Sequence, residues 1–222
     1  MPTPPITKLK KKEIDWLSTH YCKHRMPYLS HYSCYLKEQP QPVVGFFDIE
    51  CSDLNADIGV ILAWCLKIKG QNKIIERVAT PKELHDPNCI DKKNVEAAVK
   101  AVTSCDRVVS YYGTRFDLKF LRTRALVWGI DFPPIGQIYH SDLYYIIRNR
   151  FKLHSNRLEN ACRVLLGKTQ KTHFDPMIWL RALQGHEDAM KYIIDHCRKD
   201  VRETERLWNK VNKFAKETNT SI

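Results

Sequence analysis

Val43-Val-Gly-Phe-Phe-Asp-Ile-Glu50 is the stretch on which the fold turns. It is apolar and rich in β-formers except for two carboxylates, so it reads as a central strand. Asp48 and Glu50 stand on either side of Ile49, and the two-residue period of a strand puts both side chains on one face. Carboxylates that share a face repel each other and lose hydration. A divalent cation compensates well, and Mg²⁺ prefers carboxylate and water oxygens. The alternative is that both acids lie at the solvated end of the strand.

Working outward, 59–69 and 73–79 read as two more strands, joined by the turn sequence Lys69-Gly70-Gln71-Asn72. A helix is expected over 91–102, apolar at Val95, Ala98, Val99 and Val102. A strand follows at 107–112, then a helix at 117–128 that Gly129 and Pro133-Pro134 stop. A short strand at 138–142 leads to helices at 143–150 and 156–166, the latter closed by Gly167. Helices at 176–183 and 187–216 complete the chain, the last with Ile193, Ile194, Cys197, Val201, Thr204 and Leu207 as an inward stripe. This order suits an α/β domain with a mixed five-stranded sheet flanked by helices, the ribonuclease-H-like arrangement being one of several options.

More acids sit in telling places. Asp117 follows Tyr111-Tyr112-Gly113-Thr114-Arg115-Phe116, a strand-to-helix turn. There it either serves as an N-terminal helix charge or projects over the sheet edge where α/β sites lie. His196 and Asp200 are four apart on the last helix and share a face, which otherwise reads as a surface pair of small energetic weight. Asp142 closes the fifth strand.

Together these residues resemble the DEDD 3′–5′ exonucleases over 43–210. Phe46-Phe47-Asp48-Ile49-Glu50 is similar to the first motif, Val109 through Leu118 to the second, and His196-Cys197-Arg198-Lys199-Asp200 to the third. The stretches Ser141 to Arg148 and Arg157 to Lys168 resemble what lies between the second and third motifs in proofreading domains of family-B DNA polymerases. The sequence departs from the pattern twice. Tyr112 stands where the second motif has Asn, and the third motif pairs the histidine of one subfamily with the spacing of the other, His196-x3-Asp200.

The resemblance implies hydrolysis with two Mg²⁺ or Mn²⁺ ions clamping the attacking and leaving oxygens. Asp48 would bridge both ions, Glu50 and Asp200 would complete one site, and Asp117 would hold the second. The family needs only these four acids, which leaves Asp142 a structural or supporting role. His196 would orient or deprotonate the attacking water. Leu54 and Asn55 are expected to brace the terminal nucleotide. Tyr112, Arg157, Lys168 and Lys171, with neighbouring Arg148, Arg150, Lys152, Tyr144, Tyr145 and Phe151, would track a strand by charge and stacking, unless they form a solvated helix face.

The whole chain has 222 residues and a formal net charge of +11, an excess that favours polyanions, nucleic acid first. No apolar run reaches the ~20 residues of a membrane helix, and no apolar segment follows the basic N-terminal residues. Membrane and secreted readings are demoted, and an intracellular location is expected, cytoplasmic for a prokaryotic or viral source. The first 41 residues differ from the rest, with prolines, a basic run over 8–12, a Cys/His/Tyr-dense stretch, and Gln39-Pro40-Gln41-Pro42 as a linker. The expected division is therefore an arm at 1–41 and a catalytic domain at 42–222. Within the arm, Cys22-x-His24-x6-His31-x2-Cys34 supplies the donors of a structural zinc site, the alternative being cysteines that pack or stay free. The expected function is 3′–5′ exonuclease action on single-stranded nucleic acid, DNA before RNA, with recruitment by replication or repair proteins. Its rivals are an endonuclease of the same fold and a nucleic-acid-binding module with weakened chemistry.

Overall fold

The computed structural model describes residues 11–38, 42–170 and 175–215. The chain divides into two compact units between Pro42 and Val43. In the smaller unit, helix α1 (Lys11–Thr19) and helix α2 (Tyr32–Glu38) flank a turn-rich segment. Neither helix has the long apolar period that marks one in sequence. Leu17, Cys22 and Cys34 are the buried residues among those described there.

The larger unit is built on β1 (Val44–Cys51), the central strand of a five-stranded sheet ordered β3-β2-β1-β4-β5. Strands β2 (Ile61–Ile68) and β3 (Ile74–Val78) continue from β1 as an antiparallel meander. Strands β4 (Arg107–Ser110) and β5 (Tyr139–Asp142) add in parallel on the other side. The mixed sheet is therefore the one expected from the sequence. Parallel neighbours need crossovers, and the intervening helices supply them.

Helix α3 (Pro81–Leu84) is a single turn absent from the sequence reading, started by Thr80, Pro81 and Glu83 as a capping box. Helices α4 (Lys92–Thr103) and α5 (Asp117–Val127) cover one face of the sheet. Phe47 and Ile49 of β1 point there, into a core with Val95, Val102 and Leu121. Helices α6 (Leu143–Arg150), α7 (Leu158–Leu166), α8 (Pro176–Leu183) and α9 (Glu187–Val211) contribute to the other core, which receives Val44 and Phe46. Each expected stripe residue of α9 is buried. The helix stops at Val211 rather than 216, where a 3₁₀ turn takes over. Cys65, Cys105 and Cys162 are core residues, as their apolar neighbours imply.

One buried ion pair fixes the α4–α5 side. Asp91 precedes α4 but does not cap it. Its carboxylate instead accepts from the Ile61 N–H, the Arg124 guanidinium and the Trp128 indole N–H. Four donors around one buried carboxylate offset its lost hydration and tie β2, α4 and α5 together. Among the described residues, no helix is long and apolar enough to cross a membrane.

Candidate active site

The register of β1 exposes its acids to a site. β4 pairs with β1 only through Val44, Gly45 and Phe46. Asp48 and Glu50 lie beyond that pairing, toward the C-terminal end of β1, while β2 still supports them opposite Cys65 and Ala63. Both share the face of Phe46, the face covered by α9. The crevice outside the carboxyl ends of strands is where open α/β sheets bind ligands.

A cavity of about 710 Å³ occupies that crevice, lined by Asp48, Glu50, Asp117, His196 and Asp200 together with Tyr111, Tyr112, Tyr144, Arg157 and Glu159. The four acids and the histidine come from β1, α5 and α9, far apart in sequence. His196 presents Nε2 to two carboxylates, 3.9 Å from Glu50 Oε1 and 3.8 Å from Asp200 Oδ2. Trp179 of α8 meets the imidazole edge-on, ring centroids 5.3 Å apart. The His196-x3-Asp200 spacing thus serves one site, because residues four apart in a helix stack on one face.

Asp117 is buried in the first turn of α5, and its Oδ1 accepts the Ile49 N–H at 3.1 Å. This bond joins the second acidic element to the backbone between the two acids of the first. Burial, aided by the charges of Asp142 and Asp200, pushes the Asp117 carboxyl up to about 7, against the hydrogen bonds from its own and the Ile49 N–H. A buried carboxyl among other carboxyls resists ionisation until a cation joins them.

The loop from β4 to α5 is held by Asp142, the residue expected to play a supporting role. Its oxygens accept the N–H groups of Tyr112, Thr114 and Tyr144. Tyr112 adopts a positive φ of 71°, a conformation that Asn tolerates better than an aromatic residue. Its ring packs with those of Tyr144 and Tyr145 at the cavity rim. Gly113 passes directly over the end of β4, where an added Cβ would lie 2.1 Å from Ser110 Oγ and 2.7 Å from Ser110 Cβ. Ser110 Oγ is itself paired with His140 Nε2 at 2.8 Å, so it has little freedom to give way. Gly113→Ala is therefore expected to cost about 2–3 kcal/mol and to displace Asp117. A thermal melt should show Tm lower by roughly 5–10 °C. An unchanged melt would show that the loop relaxes freely.

The cavity does not gather every residue singled out in the sequence. Leu54 is 80 % exposed, and Asn55 bonds to Asp53 through both its backbone and side-chain nitrogens; neither lines the cavity. Lys168 is exposed and also lies off its lining. Lys171 falls outside the described residues. Phe151 turns inward onto Phe214. Conversely, Glu159 and Asn156 line the cavity without having been singled out. Glu159 reads in sequence as an ordinary first-turn helix acid, and nothing local distinguishes it.

The donor set suits a hard cation. Asp48 and Glu50 each place one oxygen within 4.8 Å of the other and of Cys197 Sγ. Cys197 donates to the Asp48 carbonyl oxygen, and burial, the Cys65 thiol and the nearby acids push its thiol well above its ordinary range. It therefore stays protonated and leaves the oxygens as ligands.

In the smaller unit, one donor atom each of Cys22, His24, His31 and Cys34 lies within 4.8 Å of the others. Cys22 Sγ is 3.2 Å from His31 Nδ1 and 3.7 Å from His24 Nδ1, and Cys34 Sγ is 3.3 Å from His24 Nδ1. Burial opposes ionisation of Cys22, but hydrogen bonds from His31 and from the Met26 and His24 backbone hold it down at about 6.

A family model described as the RNase_H superfamily matches residues 45–212, which takes in all of the sheet but Val44 and every residue of the acidic set. No curated protein matches the chain. Among solved structures, it is similar to the family B DNA polymerase from the hyperthermophilic archaeon Pyrobaculum calidifontis, with a TM-score of 0.61 and 17% identity. That match covers 78% of this chain and 25% of the polymerase chain, so this chain spans about a quarter of its length. At such identity the likeness is one of fold.

Proposed function

The chain belongs to the RNase H superfamily, and from that premise we propose that it is a metal-dependent 3′–5′ exonuclease acting on single-stranded nucleic acid, DNA before RNA. One observation carries the proposal. Asp48, Glu50, Asp117, Asp200 and His196, brought from three separate elements, line a single cavity at the end of the sheet. Repulsion among them is a standing cost in the absence of a cation, which a merely structural cavity has no reason to bear.

Asp48, Glu50, Asp117 and Asp200 are the residues that would hold two Mg²⁺ or Mn²⁺ ions, and these would supply Lewis acidity and charge neutralisation at a phosphodiester. The remaining steps belong to the chain. His196, edge-on to Trp179 and flanked by Glu50 and Asp200, would orient a water and receive its proton. The adjacent carboxylates stabilise the positive charge this leaves on the ring. Arg157 on the cavity lining offers a guanidinium to a phosphate. Tyr112 and Tyr144 offer aromatic surface to an unpaired base, which a duplex would bury in its own stack. This reading places the protein inside the cell and admits recruitment by replication or repair proteins.

The test uses 5′-labelled single-stranded DNA and the matching RNA, each incubated with Mg²⁺ or Mn²⁺. A ladder shortening from the 3′ end is expected, with DNA degraded faster and a blocked 3′ terminus resisting. Internal cuts in the blocked substrate would replace this reading with an endonuclease. Binding without any cleavage, in either metal, would leave a binding module.

A further inference from the structure

We propose that Cys22, His24, His31 and Cys34 bind one zinc ion and that this ion serves as the core of the smaller unit, independently of the metal ions proposed for the acidic cavity. Three observations carry this. The first is donor geometry. A tetrahedral zinc with Zn–S near 2.3 Å and Zn–N near 2.0–2.1 Å puts its sulfur and nitrogen ligands about 3.6 Å apart. The sulfur–nitrogen separations of 3.2, 3.3 and 3.7 Å found here surround that value, and all of them involve Nδ1. Two thiols and two imidazoles in such a cluster select zinc over Mg²⁺ or Ca²⁺, which take oxygen.

The second is the backbone. Cys22 and His24, two residues apart, diverge on a helix and stand roughly 6.6 Å apart along one face of a strand, so convergence on one ion needs a sharp turn. The chain makes that turn. The Arg25 N–H donates to the Cys22 carbonyl and the Cys22 N–H to the Met26 carbonyl, while Tyr21 and Pro27 form an isolated antiparallel bridge. Arg25 sits at a positive φ of 56°, unusual for a residue that is not glycine. A strained position of this kind persists where its surroundings over-determine it. From there His31 and Cys34 close the site: the Cys34 N–H donates to the His31 carbonyl, and Cys34 lies in the first turn of α2.

The third is what else could hold this unit together. Among its described residues only Leu17, Cys22 and Cys34 are buried, and two of these three are proposed ligands. A unit of about 40 residues buries little apolar surface against its ordering entropy and usually needs a disulfide, a metal or a partner. The cysteines are not joined. The rings of Trp16, His20, Tyr28 and Tyr35 pack on one another but leave Trp16 42 % exposed. A metal crosslink between the turn and α2 supplies what the apolar residues lack.

The experiment uses the full chain, expressed with zinc and passed through a Mg²⁺ buffer. Elemental analysis should find one zinc per chain in the wild type and in Asp48→Asn, and less than about a tenth of that in a Cys22→Ser/Cys34→Ser double variant. Replacement by Co²⁺ should give the visible absorption of a tetrahedral thiolate site, lost in the same variant and weakened in His31→Gln. Adding a zinc-selective chelator should speed limited proteolysis within 11–38 by about tenfold or more. Three results would overturn the proposal: a zinc-free chain that takes up no Co²⁺, zinc undiminished in the double variant, or a Cys22–Cys34 disulfide in the chain as purified. Because Asp48→Asn removes the proposed nuclease site and not these ligands, loss of cleavage and loss of zinc are read separately.

Discussion

Asp48→Asn is expected to lower the rate of phosphodiester cleavage at least about a thousandfold while leaving the melting temperature unchanged or higher. The direction of both effects follows from one arrangement. Asp48 lies on β1 beyond the reach of β4, sharing a strand face with Glu50 and one cavity with Asp117 and Asp200. Asparagine fills nearly the same volume, so the core around Phe46 is undisturbed. What changes is charge. Removing one of several converging carboxylates relieves repulsion in the metal-free protein, which is why no loss of stability is expected. The same removal deprives a divalent cation of a ligand whose negative charge neutral amide oxygen does not replace. Initial rates in saturating Mn²⁺ and melts in chelator measure the two effects on one preparation. A variant that cleaves at even a tenth of the wild-type rate would remove Asp48 from the reaction. A variant that loses activity and also melts much lower would point to a structural role.

The sheet and the acids were legible in sequence for the same reason. A central strand buried on both faces is almost wholly apolar, so two carboxylates within it are conspicuous. β1 shows this, and the alternation of Phe46 and Phe47 between the two cores is the period on which the reading rested. Asp200 and His196 were legible because α9 is long and its buried stripe is regular. The small unit's helices were not, because α1 and α2 are short and bury little beyond Leu17 and Cys34. Nor could sequence place Leu54 and Asn55, since a loop has no period, and the turn that starts at Asp53 sends Leu54 into solvent. Asp91 is instructive in another way. It stands where a helix cap belongs, yet its partners are Arg124 and Trp128, more than thirty residues away, and no local pattern encodes such a contact. Glu159 joins the cavity by the same kind of long-range packing, from the first turn of α7.

Asp117→Asn should separate stability from activity more sharply still, because here the pH dependence is set by the fold. An unfolded aspartate ionises near pH 4, whereas burial beside Asp142 and Asp200 raises the folded value to about 7. Between those values the folded state retains a proton that the unfolded state has lost. The stability of the metal-free wild type therefore falls as pH rises from about 4 to about 7, and this contribution is constant above that range. Asparagine carries no such proton, and its side-chain oxygen can still accept the Ile49 N–H. The variant should thus match the wild type near pH 4 and exceed it by about 2–4 kcal/mol at pH 8. For a domain of this size that gap amounts to roughly 6–12 °C in Tm. Saturating Mn²⁺ should narrow the gap, since the cation stabilises the ionised wild type and has lost a ligand in the variant. Cleavage by the wild type at low metal concentration should rise through pH 7 as Asp117 becomes free to ligate, and the variant should cleave at no pH. Melts of both proteins from pH 4 to pH 8, with and without Mn²⁺, decide the matter. A gap that is absent at pH 8, or equally large at every pH, would mean that Asp117 ionises as an ordinary carboxyl and that the cavity does not hold its acids at the cost inferred here.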